Sequence, residues 1–421
     1  MRVPLISGLT ARVIDHWIRV RSSYWFLQSL MTVAAIVAAL GLVTVDSTAP
    51  EWVSSMNLIV SSQPEGAREV LGTVAGSMIT VAGVTFSMTL LMVSFASAQL
   101  GPRLVPRFLR DRGNQVVLGM FIATFIYCLV VLRTVRSAAA DGTSLSVSAQ
   151  PFVPHLATLG AVVLALLSVA VLIYFLHHVP MRINASSVIG LLGDELVLRL
   201  ERDFPAAEDE PRPLEWSLEP ASAGRTIRLE DTGCYLRIVD YEGLVAFARD
   251  HELRCTTLVA PGAFCVPGTP IAHVHGRRID DACAREVHRF FSWGGDRTPD
   301  QDILFLVEQL AEIAGKALST GVNDQFTALL CIDQMERALC GAARRRDPDR
   351  LRGCDGVAYL AVESVSLREV AERFAVPLRQ FTRGDLIATD RLLAMFENCA
   401  QRAQEASVLE RCLQDHFDAA F

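Results

Sequence analysis

Read for runs and periods of apolar residues, the chain changes character near Pro180. Before that point residues 24–45, 70–100, 116–132 and 156–176 are almost continuously apolar and hold no Asp, Glu, Lys or Arg. A bilayer core of about 30 Å is crossed by roughly 20 helical residues, and a charge-free helix satisfies its backbone internally. The pattern predicts four transmembrane helices over residues 1–180. Beyond Pro180 come short alternating segments and 3.6-residue periods, the marks of half-buried strands and of helices with one core-facing side.

The second span is about a third longer than a bilayer requires. At about 100° per residue, Gly72, Thr73, Gly76, Ser77, Thr80, Gly83, Ser87 and Ser94 share one face. Such a stripe is either a small-residue seam for close helix packing or the hydroxyl-lined wall of a water-filled path in an oligomer. Directly after it, Arg103, Arg107 and Arg110 are spaced i, i+4 and i+7. They either snorkel to anionic headgroups or form a cationic vestibule at an inner pore mouth.

In the second half, residues 181–225 read as an amphipathic helix followed by a linker, since 204–220 contains four Pro and five acids. Residues 226–280 read as a small β-barrel-like subdomain, with short strands between Pro-Gly turns and one helix over 243–251. Its segment 260–271 is loosely similar to the turn-strand-turn of biotinyl and lipoyl-like domains, but Lys316, the single lysine, lies outside it. His273 and His275 share a strand face with Cys283 eight residues on; this is too few ligands for a metal site, and neither a metal nor a cofactor is expected.

Residues 281–421 read as mostly helical. Ile303, Leu306, Val307, Leu310, Ile313, Ala314 and Ala317 follow a helical period, as do Phe326, Leu329, Leu330, Met335 and Leu339. Between them Gly321 suits a helix C-terminus, and Asn323 or Asp324 the next N-cap. That turn is either a capped helical hairpin or a ligand site of Ser319, Thr320, Asn323, Asp324 and Thr327 at a positive helix end. Arg297 and Asp302 either join that site or form a structural ion pair.

Charge sharpens the division. The first 180 of the 421 residues carry 11 Arg against 7 acids, a net of +4, and the remainder a net of -11. An acidic second half argues against nucleic-acid binding. Arg2, Arg12, Arg19 and Arg21 before the first span, and the Arg cluster between the second and third, place both termini in the cytoplasm by the positive-inside rule. The first apolar run is too long for a cleaved signal peptide. Nine of the ten cysteines lie in the second half without a C-x-x-C spacing and read as free thiols on the reducing side. With no nucleophile elbow, phosphate loop or H-E-x-x-H, no enzyme is expected.

Three segments carry a family resemblance. They are Thr85-Phe86-Ser87-Met88-Thr89-Leu90 with Ser97-Ala98-Gln99-Leu100-Gly101-Pro102-Arg103-Leu104, then Val117-Leu118-Gly119-Met120-Phe121, and Arg297-Thr298 with Gln301-Asp302 and Ala317-Leu318-Ser319-Thr320-Gly321-Val322-Asn323-Asp324-Gln325. Together they resemble the bacterial predicted-membrane-protein family known as domain of unknown function 2254, over nearly the whole chain. Thr320 and Gln325 stand where that family usually has prolines. The resemblance implies a bacterial inner-membrane protein with four spans and a cytoplasmic domain, which the strand and helix patterns make α+β, and brings no activity with it.

The expectation from these readings is a homo-oligomeric channel or pore-type transporter for inorganic ions, embedded in the lipid bilayer, with a cytoplasmic domain that assembles and gates it. The spans hold no carboxylate for a proton relay, which disfavours a proton-driven carrier. The alternative is a membrane-anchored sensor or scaffold whose polar turn binds a small ligand or partner.

Overall fold

Uninterrupted apolar sequence becomes four long helices in the computed structural model, which describes residues 24–48, 64–105, 108, 111–136, 152–209, 213–216, 223–230, 232–276 and 279–403. These are α1 (Tyr24–Thr48), α2 (Pro64–Leu100), α3 (Arg112–Thr134) and α4 (His155–Ile183), all long and apolar enough to cross a membrane. Apart from the last two residues of α2 they form one structural unit, and the chain from Ala185 onward belongs to another.

Helix association in lipid gains little from the hydrophobic effect and relies on close packing and interhelical hydrogen bonds. The membrane unit follows that rule. Ala35 and Ala39 of α1, Ala123, Tyr127, Cys128 and Val131 of α3, and Ala157 and Ala161 of α4 make one cluster with Leu71 and Ala75 of α2. A second cluster joins Met78 and Ala82 to Val117, Leu118, Phe121 and Phe175. Gly119 lets α1 and α3 come close, since a Cβ there would lie 2.7 Å from Met31 Sδ. Tyr127 donates to the Ala157 carbonyl at 2.8 Å, Thr124 and Ser168 hydroxyls are 3.1 Å apart, and Arg68 donates to the Val135 carbonyl at 2.9 Å. These partners set α3 running opposite to α4, and the start of α2 beside the end of α3.

The second unit opens with α5 (Ala185–Asp203). Its residues Val188, Ile189, Leu192, Leu196 and Leu200 are buried, the amphipathic stripe read from the sequence. Next come β1 (Ala223–Arg228), β2 (Cys234–Val239), α6 (Tyr241–Asp250), β3 (Arg254–Thr257), β4 (Phe264–Cys265), β5 (Pro270–Gly276), α7 (Asp281–His288) and β6 (Phe291–Gly294). The chain continues through α8 (Ile303–Ala317), α9 (Gln325–Ala342), β7 (Leu351–Cys354), β8 (Val357–Ala361), α10 (Leu367–Thr382) and α11 (Leu386–Ala403). α8 is buried along most of its length, with α5, α9 and α10 packed around it.

The barrel-like subdomain expected over 226–280 is not found among the described residues. The strands form two open sheets, ordered β1-β5-β3-β8-β7 and β4-β2-β6. β3 pairs in parallel with β8, about a hundred residues later in the chain. A parallel partner needs a long crossover, so periodicity within 226–280 could not reveal it. Inner residues of both sheets, including Leu236, Val239, Cys255, Ile271, Val274, Phe291 and Leu360, form one core with Leu244 and Ala248 of α6.

The supposed linker is also tied down. Phe204 is buried, the Ala207 N–H donates to the Arg344 carbonyl at 2.9 Å, the Arg346 N–H donates to the Pro205 carbonyl at 3.0 Å, and Glu215 bridges Val357. Proline and acid content reported exposure of the side chains correctly at several positions, but not the backbone pairing that anchors them.

Candidate functional site

The two faces of α2 divide sharply. Ala67, Leu71, Ala75, Met78, Ala82, Thr85, Thr89 and Ala96 are buried against the other helices. Gly72, Thr73, Gly76, Ser77, Thr80, Gly83, Ser87 and Ser94 are all exposed. A Cβ added to Gly72, Gly76 or Gly83 would meet nothing within 4 Å. Within one chain, packing is thus done by the alanine-rich face, and the glycine and hydroxyl stripe turns outward. Two of its hydroxyls are satisfied locally: Ser77 donates to the Thr73 carbonyl and Thr80 to the Gly76 carbonyl, each at 2.8 Å. Such i−4 bonds remove the cost of presenting hydroxyls to an apolar surrounding, while leaving oxygen lone pairs on the surface.

Arg103 lies exposed in a 3-10 turn, Pro102–Leu104, immediately after α2. Arg107 and Arg110 fall outside the described residues. Within α2, the buried Thr89 hydroxyl contacts the Thr85 carbonyl at 2.8 Å and Asn114 Oδ1 of α3 at 3.1 Å. Gln28 is only 2% exposed, and its amide has no hydrogen-bond partner among the described residues. These buried polar positions were not singled out from the sequence. The available signal was their type: Gln28 interrupts an apolar run, and Asn114-Gln115 begins one.

The polar turn resolves into a capped hairpin. Asp324 caps α9, accepting from the Thr327 N–H at 3.1 Å and from its hydroxyl at 2.6 Å. Ser319 donates to the Lys316 carbonyl at 2.6 Å, and the Asp324 N–H closes the turn onto the Ala317 carbonyl at 2.8 Å. The left-handed residue is Asn323, with φ 51°, and not Gly321. Asn tolerates this conformation through local hydrogen bonding, so Asn323 takes the left-handed position expected of Gly321, and Asp324 takes the cap. Thr320 is exposed, as is Phe326, at 77%, where the 3.6 period assigns it to the core. It occupies the first turn of α9.

Arg297 and Asp302 do not join that turn. They stand at the opposite end of α8, whose 15 residues span about 22 Å. Arg297 pairs with Asp302 at 2.7 Å and with Glu308 at 2.7 Å, and Glu308 reaches Arg373 of α10 at 3.2 Å. Asp302 also caps α8, accepting from the Phe305 N–H at 3.1 Å. Burial pushes its carboxyl above the usual range against the opposing pull of Arg297. The Gln301 amide pairs with both backbone groups of Val239, at 2.9 and 3.1 Å, as a neighbouring strand would. Gly262, with φ 93°, brings its loop against Asp302, where a Cβ would lie 2.1 Å from Oδ2. The Arg297-to-Asp302 motif is therefore a clamp joining α8 to β2 and to the 260–263 loop.

On β5, the rings of His273 and His275 are 4.6 Å apart, and Thr226 Oγ1 lies 2.9 Å from His273 Nδ1. Burial, then the neighbouring His273, lowers the pKa of His275. Among the described residues no cluster of His, Cys, Asp and Glu has the makings of a metal site.

A family model described as predicted membrane protein (DUF2254) matches residues 21–398. An uncharacterized protein of Mycobacterium tuberculosis (strain CDC 1551 / Oshkosh) is 31% identical over 309 residues, covering 70% of this chain and 56% of the relative. One from Mycobacterium bovis is 30% identical over the same coverage. The matched part spans little more than half the length of these relatives. No solved structure matches the chain.

Proposed function

The chain belongs to the DUF2254 family of predicted membrane proteins, and from the placement of its α2 residues we propose that it is a homo-oligomeric inner-membrane channel or pore-type transporter for inorganic ions. In this reading both termini are cytoplasmic, α2 lines the path, and the acidic α+β unit assembles and gates it. The observation that carries the reading is the outward stripe of α2, whose residues are exposed and whose glycines have open space beside them. A lipid-facing helix has no need of such residues, whereas close subunit contact or a wet path uses both. Arg103, with Arg107 and Arg110, would concentrate anions at the inner mouth. No cofactor enters this mechanism.

The test is to purify the full chain, determine its oligomeric state, and record from it in planar bilayers under asymmetric KCl. The expected result is a discrete conductance, altered by Thr80→Leu and Ser87→Leu, with Gly76→Leu dissociating the oligomer. Unchanged currents in correctly assembled Thr80→Leu and Ser87→Leu proteins would sink the lining assignment.

A membrane-anchored sensor or scaffold is the second reading. It is favoured by the exposed apolar side chains of Phe326 and Leu386, at 77% and 83%. Silence in bilayers from a well-folded protein, with a partner lost on Phe326→Asp, would support it.

A further inference from the structure

Two cysteines distant in sequence meet where α9 and α11 run side by side. Cys340 Sγ and Cys399 Sγ are 3.4 Å apart, in non-bonded contact. The surrounding polar groups hold the helices in this register: Arg391 donates to Asp333 at 2.7 Å and also pairs with Glu336, and Asn398 donates to Glu336 at 2.7 Å. Cys399 is fully buried, whereas Cys340 is half-buried. Cys340 also opens into a cavity of about 480 Å³ that Arg344, Gln401 and Arg402 help to line. A disulfide bond of about 2.05 Å needs the sulfurs to close by only about 1.4 Å.

The two thiols are electrostatically unlike. The contact with Cys399 lowers the pKa of Cys340, with Arg402 and Arg391 adding to the effect against burial and Glu336. That same contact, together with burial, raises Cys399. Burial raises Cys255, Cys265, Cys283 and Cys331 as well. A half-buried, cation-flanked sulfur beside a fully buried one is the arrangement of an attacking and a resolving cysteine.

We propose that Cys340 and Cys399 are a peroxide-oxidisable dithiol that locks α11 onto α9. The Cys340 thiolate attacks one peroxide oxygen, the O–O bond breaks, and the departing hydroxide is protonated to water, leaving a sulfenic acid on Cys340. The Cys399 sulfur then attacks the Cys340 sulfur and expels hydroxide, which leaves as a second water with the Cys399 proton. Both sulfurs are oxidised, and the two peroxide oxygens are reduced. A dithiol of this kind is regulatory in a reducing compartment, where static bridges do not persist.

Cys234 and Cys265 supply an internal control, being directly opposite each other on β2 and β4 and both buried. The full-length protein in detergent, reduced and then given graded hydrogen peroxide, would be blocked with N-ethylmaleimide, digested and analysed by mass spectrometry. The expected product is a Cys340–Cys399 linked peptide lighter by two hydrogens, reversed by dithiothreitol and formed about tenfold faster than any Cys234–Cys265 link. Cys399→Ser should stop at a sulfenic acid on Cys340 that dimedone traps; Cys340→Ser, a change at the half-buried position, should abolish the link. Overoxidation of Cys340 without the link, no reaction, or equal reactivity of Cys234 and Cys265 would overturn the proposal.

Discussion

The carboxylate of Asp46, in the last turn of α1, accepts the backbone N–H of Ala157 at 3.0 Å at the start of α4. Its other oxygen takes the Leu156 N–H at 3.1 Å. The residue preceding α4 is Pro154, which offers no side-chain cap. A residue 111 positions away therefore satisfies the orphan donors of that helix and places a negative charge at its positive end.

Removing this cap has a measurable cost. Asp46→Ala is expected to lower the unfolding free energy of the detergent-solubilised protein by about 1–2 kcal/mol. Asp46→Asn, which keeps one acceptor, should lose less. Equal stability of wild type and Asp46→Ala would show that another group satisfies the α4 terminus.

Thr89 and Asn114 join α2 to α3 through a buried side-chain contact. Thr89→Val preserves shape and removes the hydroxyl, and the expected loss is about 1 kcal/mol. A double-mutant cycle with Asn114→Leu should give a favourable coupling energy. A coupling of zero would assign the pair to packing alone.

Arg297→Met deprives Asp302 and Glu308 of a common partner, with Asp302 only 3% exposed. The expected cost near neutral pH is about 3 kcal/mol. Burial already raises the Asp302 pKa, so its contribution is most favourable below the unfolded-state value and is lost as pH rises through the folded one. Without Arg297 the folded value rises further. The gap between wild type and variant should therefore narrow as pH falls through the raised folded-state value of Asp302 and its carboxyl takes up a proton. Thermal unfolding across pH reads this out, and a gap that widened on acidification would refute the clamp.

His275 predicts the opposite slope. Its pKa is lowered by burial and by His273, so the folded protein takes up that proton less readily than the unfolded chain. The stabilising contribution is present above the unfolded value of about 6.5 and is lost as pH falls through the lowered folded value. His275→Gln should unfold with a shallower acid dependence below about pH 6.5 than wild type. Superimposable profiles would show that the ring pair has no thermodynamic effect.

The four membrane-type helices were legible because a charge-free run longer than a bilayer is thick has few other folds open to it. The α5 stripe and the α8 period were legible for a related reason: local spacing alone decides which side of a helix is apolar. Asp324 as a cap was readable too, since capping depends on residue type within three positions. Phe326 was misread because periodicity names the apolar side of a helix without telling whether a neighbour covers its end.

Sequence alone, then, determined the membrane-type helices, the change to an α+β unit, and the amphipathic faces, all consequences of interactions between residues close along the chain. Tertiary structure decided which face of α2 is buried, which strand β3 pairs with, and that Arg297 and Asp302 stand a helix length from Asn323. It also decided that Asp46 caps a distant helix and that Cys340 meets Cys399. Each of these depends on pairing groups tens to more than a hundred residues apart, and a one-dimensional pattern holds no record of which distant partner satisfies a buried donor, a free strand edge or a thiol.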